Sequence, residues 1–205
     1  MRRATLSFLP IILISSRFAS AQPLPIQDLG LLPGDAIVSP ADNSQLECAM
    51  AKGGDRYLVV WSDSRGTGSG SQTIQSDGDI FGIRLDGAGN PLDAIPFQIA
   101  GGMGLQRYPT VAWNGENWLV IYQSQDPIGG YFETQIRAVR VSPEGVILDA
   151  TPILLPPTQF TPGTIGMTVA GQAGQWLITR CIYHNDGYGT FLAGQRINGS
   201  GALLD

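Results

Sequence analysis

The sequence predicts an all-β fold of about three four-stranded antiparallel repeats of ~56 residues, arranged as a partial β-propeller. Three observations favour this fold: residues recur at a constant spacing, short strand-like runs alternate with turn residues, and no sustained helical periodicity follows the N-terminus. The chain of 205 residues contains 27 Gly and 14 Pro, which separate short strands and interrupt helices. A threefold β-prism or a β-trefoil-like fold is the alternative, because three wide sheets leave a narrow centre for a closed ring.

The N-terminus, residues 1–21, has the pattern of a secretory signal peptide. Arg2 and Arg3 precede an apolar run at 6–14, and small residues at 19–21 suit a signal peptidase. The apolar run is too short to span a bilayer permanently. We therefore expect a secreted or cell-envelope protein whose mature chain has no membrane span.

The mature chain is acidic, which limits its partners. Removing residues 1–21 takes away three arginines and no acids, so the formal charge becomes 9 − 17 = −8. This balance argues against nucleic acid and anionic membranes as partners. The expected partners are an extracellular glycan, a surface polymer or a protein, and self-association stays open. Secretion would permit a disulfide between Cys48 and Cys181, but the sequence does not decide whether they pair.

Four sets of residues recur at one spacing and define the repeat. Arg84, Arg140 and Arg196 lie 56 residues apart (140 − 84 and 196 − 140). The other sets are Gly89, Gly145 and Gly201; Leu92, Leu148 and Leu204; and Asp93, Asp149 and Asp205. We expect the glycines at positive φ in turns, and the arginines along a neighbouring backbone or an aromatic ring.

The repeats divide the mature chain into four segments. Residues 22–43 are an N-terminal segment with a lone strand at 34–39, followed by repeat 1 at 44–100, repeat 2 at 101–157 and an incomplete repeat 3 at 158–205. A chain with three such units could be a piece of a longer ring, half of a symmetric dimer or a compact threefold fold.

Repeat 2 shows the strands most clearly, at residues 110–113, 118–122, 135–141 and 151–155. An Asn-Gly pair at 114–115 predicts a hairpin between the first two strands. The run 118–122, WLVIY, is apolar throughout, as in a strand covered on both faces. Trp118 and its counterpart Trp176 are therefore assigned to the core, and a polar loop is expected before residue 135.

Repeat 1 carries the most distinctive motif, YLVVWSDSR at 57–65 followed by SDGDIFGIRLDGAGNPLD at 76–93. This motif resembles the repeats of bacterial secreted β-propeller-like proteins, with the pattern LVVW-x-D-x-R, D-I-Y-G-x-R-V and G-x-x-L. The resemblance covers nearly the whole mature chain and implies a propeller in an extracellular protein. The matching residues are Trp61, Asp63, Arg65, Asp79, Ile80, Phe81, Gly82 and Arg84. The later copies depart from the motif.

The polar loop of repeat 1, residues 62–79, is the expected binding site. Its candidate residues are Asp63, Arg65, Asp77 and Asp79. Two carboxylates and nearby carbonyls could hold calcium, the one cofactor that the sequence suggests, although the spacing matches no EF-hand. The alternative is a solvated loop in which Asp63 and Arg65 pair locally.

No catalytic residue is assigned from the sequence. His184, the single histidine, lies in an expected loop at 183–188 without a nucleophile motif. Acidic pairs that could hydrolyse a glycosidic bond do not recur between repeats. Aromatic residues at strand ends or in loops could stack on sugars or pack between sheets; they are Trp113, Tyr131, Phe132, Tyr183 and Tyr188.

Two functions fit these observations. The first is a secreted, non-enzymatic repeat module whose loops bind a glycan, surface polymer or protein. The alternative is the propeller portion of a longer extracellular hydrolase.

Overall fold

A computed structural model of the chain describes residues 44–65, 78–102, 104–128, 131–156, 164–184 and 189–205. These residues form eleven strands and no helix, as the turn-rich composition predicts. The signal peptide at 1–21, the strand expected at 34–39 and Asp77 lie outside them. Within the described ranges, no helix is long and apolar enough to cross a membrane.

The strands form three antiparallel sheets in chain order. Sheet 1 contains β1 (Gln45–Gly53), β2 (Arg56–Asp63), β3 (Asp79–Leu85) and β4 (Phe97–Ala100). Sheet 2 contains β5 (Leu105–Trp113), β6 (Trp118–Ile128), β7 (Tyr131–Val141) and β8 (Ile153–Leu154). Sheet 3 contains β9 (Thr164–Gln172), β10 (Gln175–His184) and β11 (Gly189–Asn198). The all-β antiparallel prediction is confirmed.

The sheets stack face to face with their first strands closest together. β1 lies against β5, and β5 against β9, whereas the fourth strands make little contact with the next sheet. The first strands are therefore the inner edge of the stack and the fourth strands its outer edge.

β6 is the central strand of the stack and is buried on both faces. Trp118, Leu119, Val120 and Ile121 are 0% exposed, because even-numbered residues face sheet 1 and odd-numbered residues face sheet 3. The prediction from the unbroken apolar run is confirmed. Trp176, 1% exposed, takes the same place in the second interface.

The repeated arginines join neighbouring sheets. Arg140 pairs with Asp149 at 2.7 Å, and its Nη1 donates to the carbonyl of Gly199 in the next sheet at 2.7 Å. Arg84 makes the same contacts with Asp93 and with the carbonyl of Pro143. The predicted contact with a neighbouring backbone is confirmed, and the repeated aspartates are the partners of the arginines.

The turns after the third strands follow the predicted design. Gly89, Gly145 and Gly201 have φ values of 90°, 83° and 88°. Side-chain oxygens of Asp86, Ser142 and Asn198 accept backbone N–H groups two and four residues ahead, which fixes each turn locally.

Some strand limits differ from the predicted ones. β5 begins at Leu105 and contains Pro109. Proline has no backbone N–H to donate, and the register shift between Arg107 and Thr110 places Pro109 where the strand pairing is interrupted. β6 and β7 continue through the residues expected to form a polar loop. β10 likewise runs to His184, with Arg180 buried and donating to the carbonyl of Pro156 at 2.8 Å; burial lowers the pKa of Arg180.

Replacing Arg140 by alanine should lower the free energy of unfolding by about 2–3 kcal/mol, because the largely buried Asp149 would lose its partner. Arg137→Ala is the matched control, since Arg137 is half-buried and bonds Gln135 on its own strand, and should cost under about 1 kcal/mol. Urea unfolding of both variants measures the difference, and equal losses would refute a special role for the repeated arginine.

Candidate functional site

The connections between the second and third strands of all three sheets lie at one end of the stack. The β2–β3, β6–β7 and β10–β11 connections lie there, together with the first residues of the inner strands β1, β5 and β9. We call this the loop end. The opposite end carries short turns and the arginine–aspartate pairs. Because loops on a rigid scaffold commonly hold binding residues, the loop end is where a site is expected.

The inner strands β1 and β5 are both bulged at the loop end. Glu47 has a φ of 58° and Tyr108 a φ of 54°, and the strand register shifts at each residue. The two positions are equivalent, since 108 − 47 = 61 is also the interval between Leu58 and Leu119. Left-handed backbone at a non-glycine residue costs roughly 1–3 kcal/mol and is concentrated at functional sites. Bulges next to such sites re-aim a side chain.

The bulge at β1 directs the Glu47 carboxylate across the first interface. Its Oε2 accepts a hydrogen bond from Ser62 Oγ at 2.9 Å and from the backbone N–H of Tyr108 at 2.7 Å. The residue is half-buried, and Oε1 receives no hydrogen bond from the described part of the chain. Among the described residues, Glu47 is thus held through Oε2 alone.

Two further polar side chains precede Tyr108 in β5. Gln106 is 3% exposed, and its backbone N–H donates to the carbonyl of Gly78 at 2.7 Å, which ties β5 to the loop of repeat 1. The guanidinium of Arg107 stacks on the ring of Tyr108 at 4.8 Å. Gln106 Oε1 and Arg107 Nε have no partner within the described ranges. Gln106 pairs with Ser124 and Arg107 with Gln123, so the two side chains leave opposite faces of sheet 2.

We call these residues the bulge cluster: Glu47, Ser62, Gln106, Arg107 and Tyr108. A carboxylate, a hydroxyl, an amide and a cation–aromatic pair thus lie along the loop end of the inner strands and of β2, with Glu47 bonded to Ser62 and to the Tyr108 backbone. That mixture suits a polar, uncharged ligand such as a sugar, which is bound through its hydroxyl groups and stacks on aromatic rings.

The predicted binding residues Asp63 and Arg65 lie on the other face of sheet 1. Asp63 is 2% exposed and accepts hydrogen bonds from Trp61 Nε1 at 2.7 Å and from the Arg65 backbone at 2.8 Å. Its ion pair with Arg65 measures 2.6 Å, and the guanidinium lies over the Phe81 ring at 4.4 Å. The geometry is the local pairing that the sequence analysis held as the alternative to a binding site.

Asp79 is the register partner of Asp63 on the neighbouring strand β3. Its Oδ2 accepts from Gln98 Nε2 at 2.7 Å, which directs the carboxylate towards β4. Asp77 lies outside the described residues. Among the described residues, no group of three or more His, Cys, Asp and Glu could hold a metal ion, and calcium binding stays a prediction.

The other candidates from the sequence are placed as follows. His184 ends β10, so the expectation of a loop position is wrong; the hairpin simply continues to it. Cys48 and Cys181 are free thiols. Trp113 packs on Trp118 with ring centroids 4.9 Å apart, and so belongs to the first interface.

Glu47 was missed by sequence reasoning for a specific reason. Its equivalent in repeat 2 is Tyr108, so no periodic signal marks it. The bulge that aims it depends on the pairing of β1 with β2. The one feature that could have indicated Glu47 is its position in β1, the first strand of sheet 1, near the loop end.

Neither a family model nor a curated protein sequence matches the chain. The fold is similar to the crystal structure of an α-L-arabinofuranosidase from Lactobacillus brevis, with a TM-score of 0.51 and 10% identity over 81% of this chain. The match spans 57% of that longer chain, which is less than two thirds of its length. The native Bacillus subtilis arabinanase Arb43A matches with a TM-score of 0.42, 13% identity and coverage of 78% of this chain and 57% of its own.

Asp63→Ala should destabilise the protein by about 2–3 kcal/mol, because it leaves the indole N–H of Trp61 and the guanidinium of Arg65 without their buried acceptor. Asp79→Asn is the control, because an amide oxygen can still accept from Gln98, and should cost under about 1 kcal/mol. Chemical unfolding compares them. A stable Asp63→Ala variant with reduced ligand binding would instead assign Asp63 to a site.

Proposed function

We propose that the chain is a three-sheet portion of the β-propeller of an extracellular glycoside hydrolase. The observation that carries the proposal is the position of Glu47, a carboxylate on a strained bulge at the inner edge of the loop end. Concave openings surrounded by loops are common ligand sites. The likeness to a solved arabinofuranosidase favours arabinose-containing glycans as the first substrates to test.

Hydrolysis of a glycosidic bond uses two carboxyl groups on opposite sides of the bond. We assign Glu47 as one of them. Glu47 has no acidic counterpart in repeat 2, where Tyr108 takes its position, which fits a site formed by one region of the inner edge.

The contacts of Glu47 suit a catalytic carboxylate. The Tyr108 N–H and the Ser62 hydroxyl fix Oε2 and orient the group, leaving Oε1 to exchange a proton or to face the sugar. A positioned acid or base accelerates such steps by about 10²–10⁴-fold. The stacked Arg107 and Tyr108 provide a surface for an adjacent sugar ring.

A second function, glycan binding without hydrolysis, is favoured by a separate observation. The carboxylate of Asp63 in the motif of repeat 1 accepts hydrogen bonds from Trp61 and Arg65, so Asp63 is engaged in local contacts. The bulge cluster would then bind a sugar without supplying a second carboxyl group.

Glu47→Gln distinguishes the two functions, because glutamine keeps an acceptor for the Tyr108 N–H but cannot exchange a proton. We expect the kcat/KM for aryl α-L-arabinofuranosides and arabinan to fall by about 100-fold or more. The melting temperature should change little. The matched control is Glu144→Gln in an outer turn, where Glu144 also bonds one serine hydroxyl.

Three outcomes are informative. Loss of turnover in Glu47→Gln but not in Glu144→Gln supports hydrolysis. Binding of arabino-oligosaccharides without turnover in the parent protein supports the binding module. Equal turnover in the parent and in Glu47→Gln would exclude a catalytic role for Glu47.

Export of the protein is part of the proposal and has its own test. Cleavage after Ala21 should leave a mature chain that begins with Gln22, because the small residues at 19–21 fit a signal peptidase. Intact-mass measurement and N-terminal sequencing of protein secreted by a bacterial host check this. Retention of residues 1–21 would contradict it.

A further inference from the structure

The outward face of sheet 3, here called the open face, repeats a surface that sheets 1 and 2 bury. Its residues Leu177, Thr179, Gly194 and Arg196 correspond to Leu119, Ile121, Ala138 and Arg140 of sheet 2, and to Leu58, Val60, Gly82 and Arg84 of sheet 1. Leu58 and Leu119 are 0% exposed, whereas Leu177 is 47% and the nearby Leu192 74% exposed. The equivalent apolar face is covered in sheets 1 and 2 and exposed in sheet 3. An exposed apolar patch of this kind indicates a surface for a further contact.

Both filled interfaces receive a tryptophan at the same point. The indole N–H of Trp118 donates to the carbonyl of Ala51 at 3.2 Å, and that of Trp176 to the carbonyl of Ala112 at 3.1 Å. The equivalent carbonyl on sheet 3 belongs to Ala170, because 112 − 51 = 61 and 170 − 112 = 58 are the intervals that relate the second strands.

A groove lies at this equivalent point on sheet 3. Its volume is about 270 Å³, and Ala170, Gln172, Leu177 and Arg196 are among the residues that line it. The groove therefore lies where an indole ring is inserted in each of the two filled interfaces.

Arg196, the repeated arginine on the open face, pairs with its aspartate but bonds no carbonyl of a further sheet among the described residues. Arg84 and Arg140 each donate to a turn carbonyl of the next sheet, and their side chains are 16% exposed. Arg196 keeps its bond to Asp205 at 2.8 Å but is 54% exposed. A turn carbonyl from a further sheet would complete the arrangement.

We propose that the open face binds a fourth repeat of the same polypeptide. A tryptophan at the start of the second strand of that repeat enters the groove and donates to the Ala170 carbonyl, and a turn carbonyl accepts from Arg196. The proposal rests on the repeat geometry and does not depend on hydrolysis.

A second copy of the chain fits the open face less well. Two open faces placed together would oppose two grooves and two Arg196 cations, with no tryptophan to insert. Sheet 1 carries Tyr57 where the other sheets have tryptophan. On that face Ile83 and Trp61 are already buried, at 0% and 7% exposed.

The test extends the chain with its own repeat. Residues 94–149 are copied after Asp205, which corresponds to Asp93 because 205 − 93 = 112 is twice 56. The copy supplies a fourth strand for sheet 3 and then β5, β6 and β7 with Trp118. Cys181 lies on the open face beside Leu192 and Thr179, so its reactivity measures whether the open face is covered. Cys48 is replaced by serine so that Cys181 is the thiol that reacts.

We expect alkylation of Cys181 by N-ethylmaleimide to slow by about tenfold or more in the extended protein. A covered thiol reacts only in the fraction of molecules in which the fourth repeat has locally opened. The melting temperature should rise as apolar surface is covered. The control carries Trp118→Ala in the appended copy only and should restore part of the reactivity.

Three results would overturn the proposal. In the first, Cys181 reacts equally fast with and without a folded extension. In the second, the extension stays unfolded by far-UV circular dichroism and is removed by protease. In the third, the unextended chain sediments as a dimer that protects Cys181, which would assign the open face to a second copy.

Discussion

Each sheet in this protein has two apolar faces, and neither face can be buried within the sheet itself. Burying both requires a neighbour on each side, as for β6, where four consecutive residues are fully buried. Fully burying one such aliphatic side chain contributes about 1.5–3 kcal/mol. The inserted tryptophans and the arginine–aspartate pairs fix the register of this stacking, since each bonds a backbone carbonyl of the adjacent sheet.

The same stacking separates structural residues from candidate functional ones. The periodic arginines, aspartates and glycines lie at the end of the stack opposite the loop end, where each repeat forms the same arginine–aspartate pair. At the loop end the repeats differ in length, and the inner strands are bulged at Glu47 and Tyr108. Strain is tolerated there because the buried strands around it hold the backbone in place. Residues that are not periodic, led by Glu47, are therefore the candidates for glycan chemistry.

Much of the fold could be predicted from the sequence, whereas the candidate site could not. The WLVIY run predicted a doubly buried strand, and the 56-residue spacing predicted turns with glycine at positive φ; both are confirmed. The site prediction centred on Asp63, which the structure places in a buried pair with Arg65. In a linear sequence, a carboxylate used for folding and one that faces a ligand look alike, because the difference lies in contacts made across sheets.

The sequence by itself determined the all-β class, the repeat length and the identity of the core, because these depend on local propensity and on periodic burial. Only the tertiary structure decided that Glu47 and Tyr108 meet at one edge, that Asp63 is enclosed and that the outward face of sheet 3 is open. Those features depend on strand register and on which faces find neighbours, and a shift of one residue would reverse them.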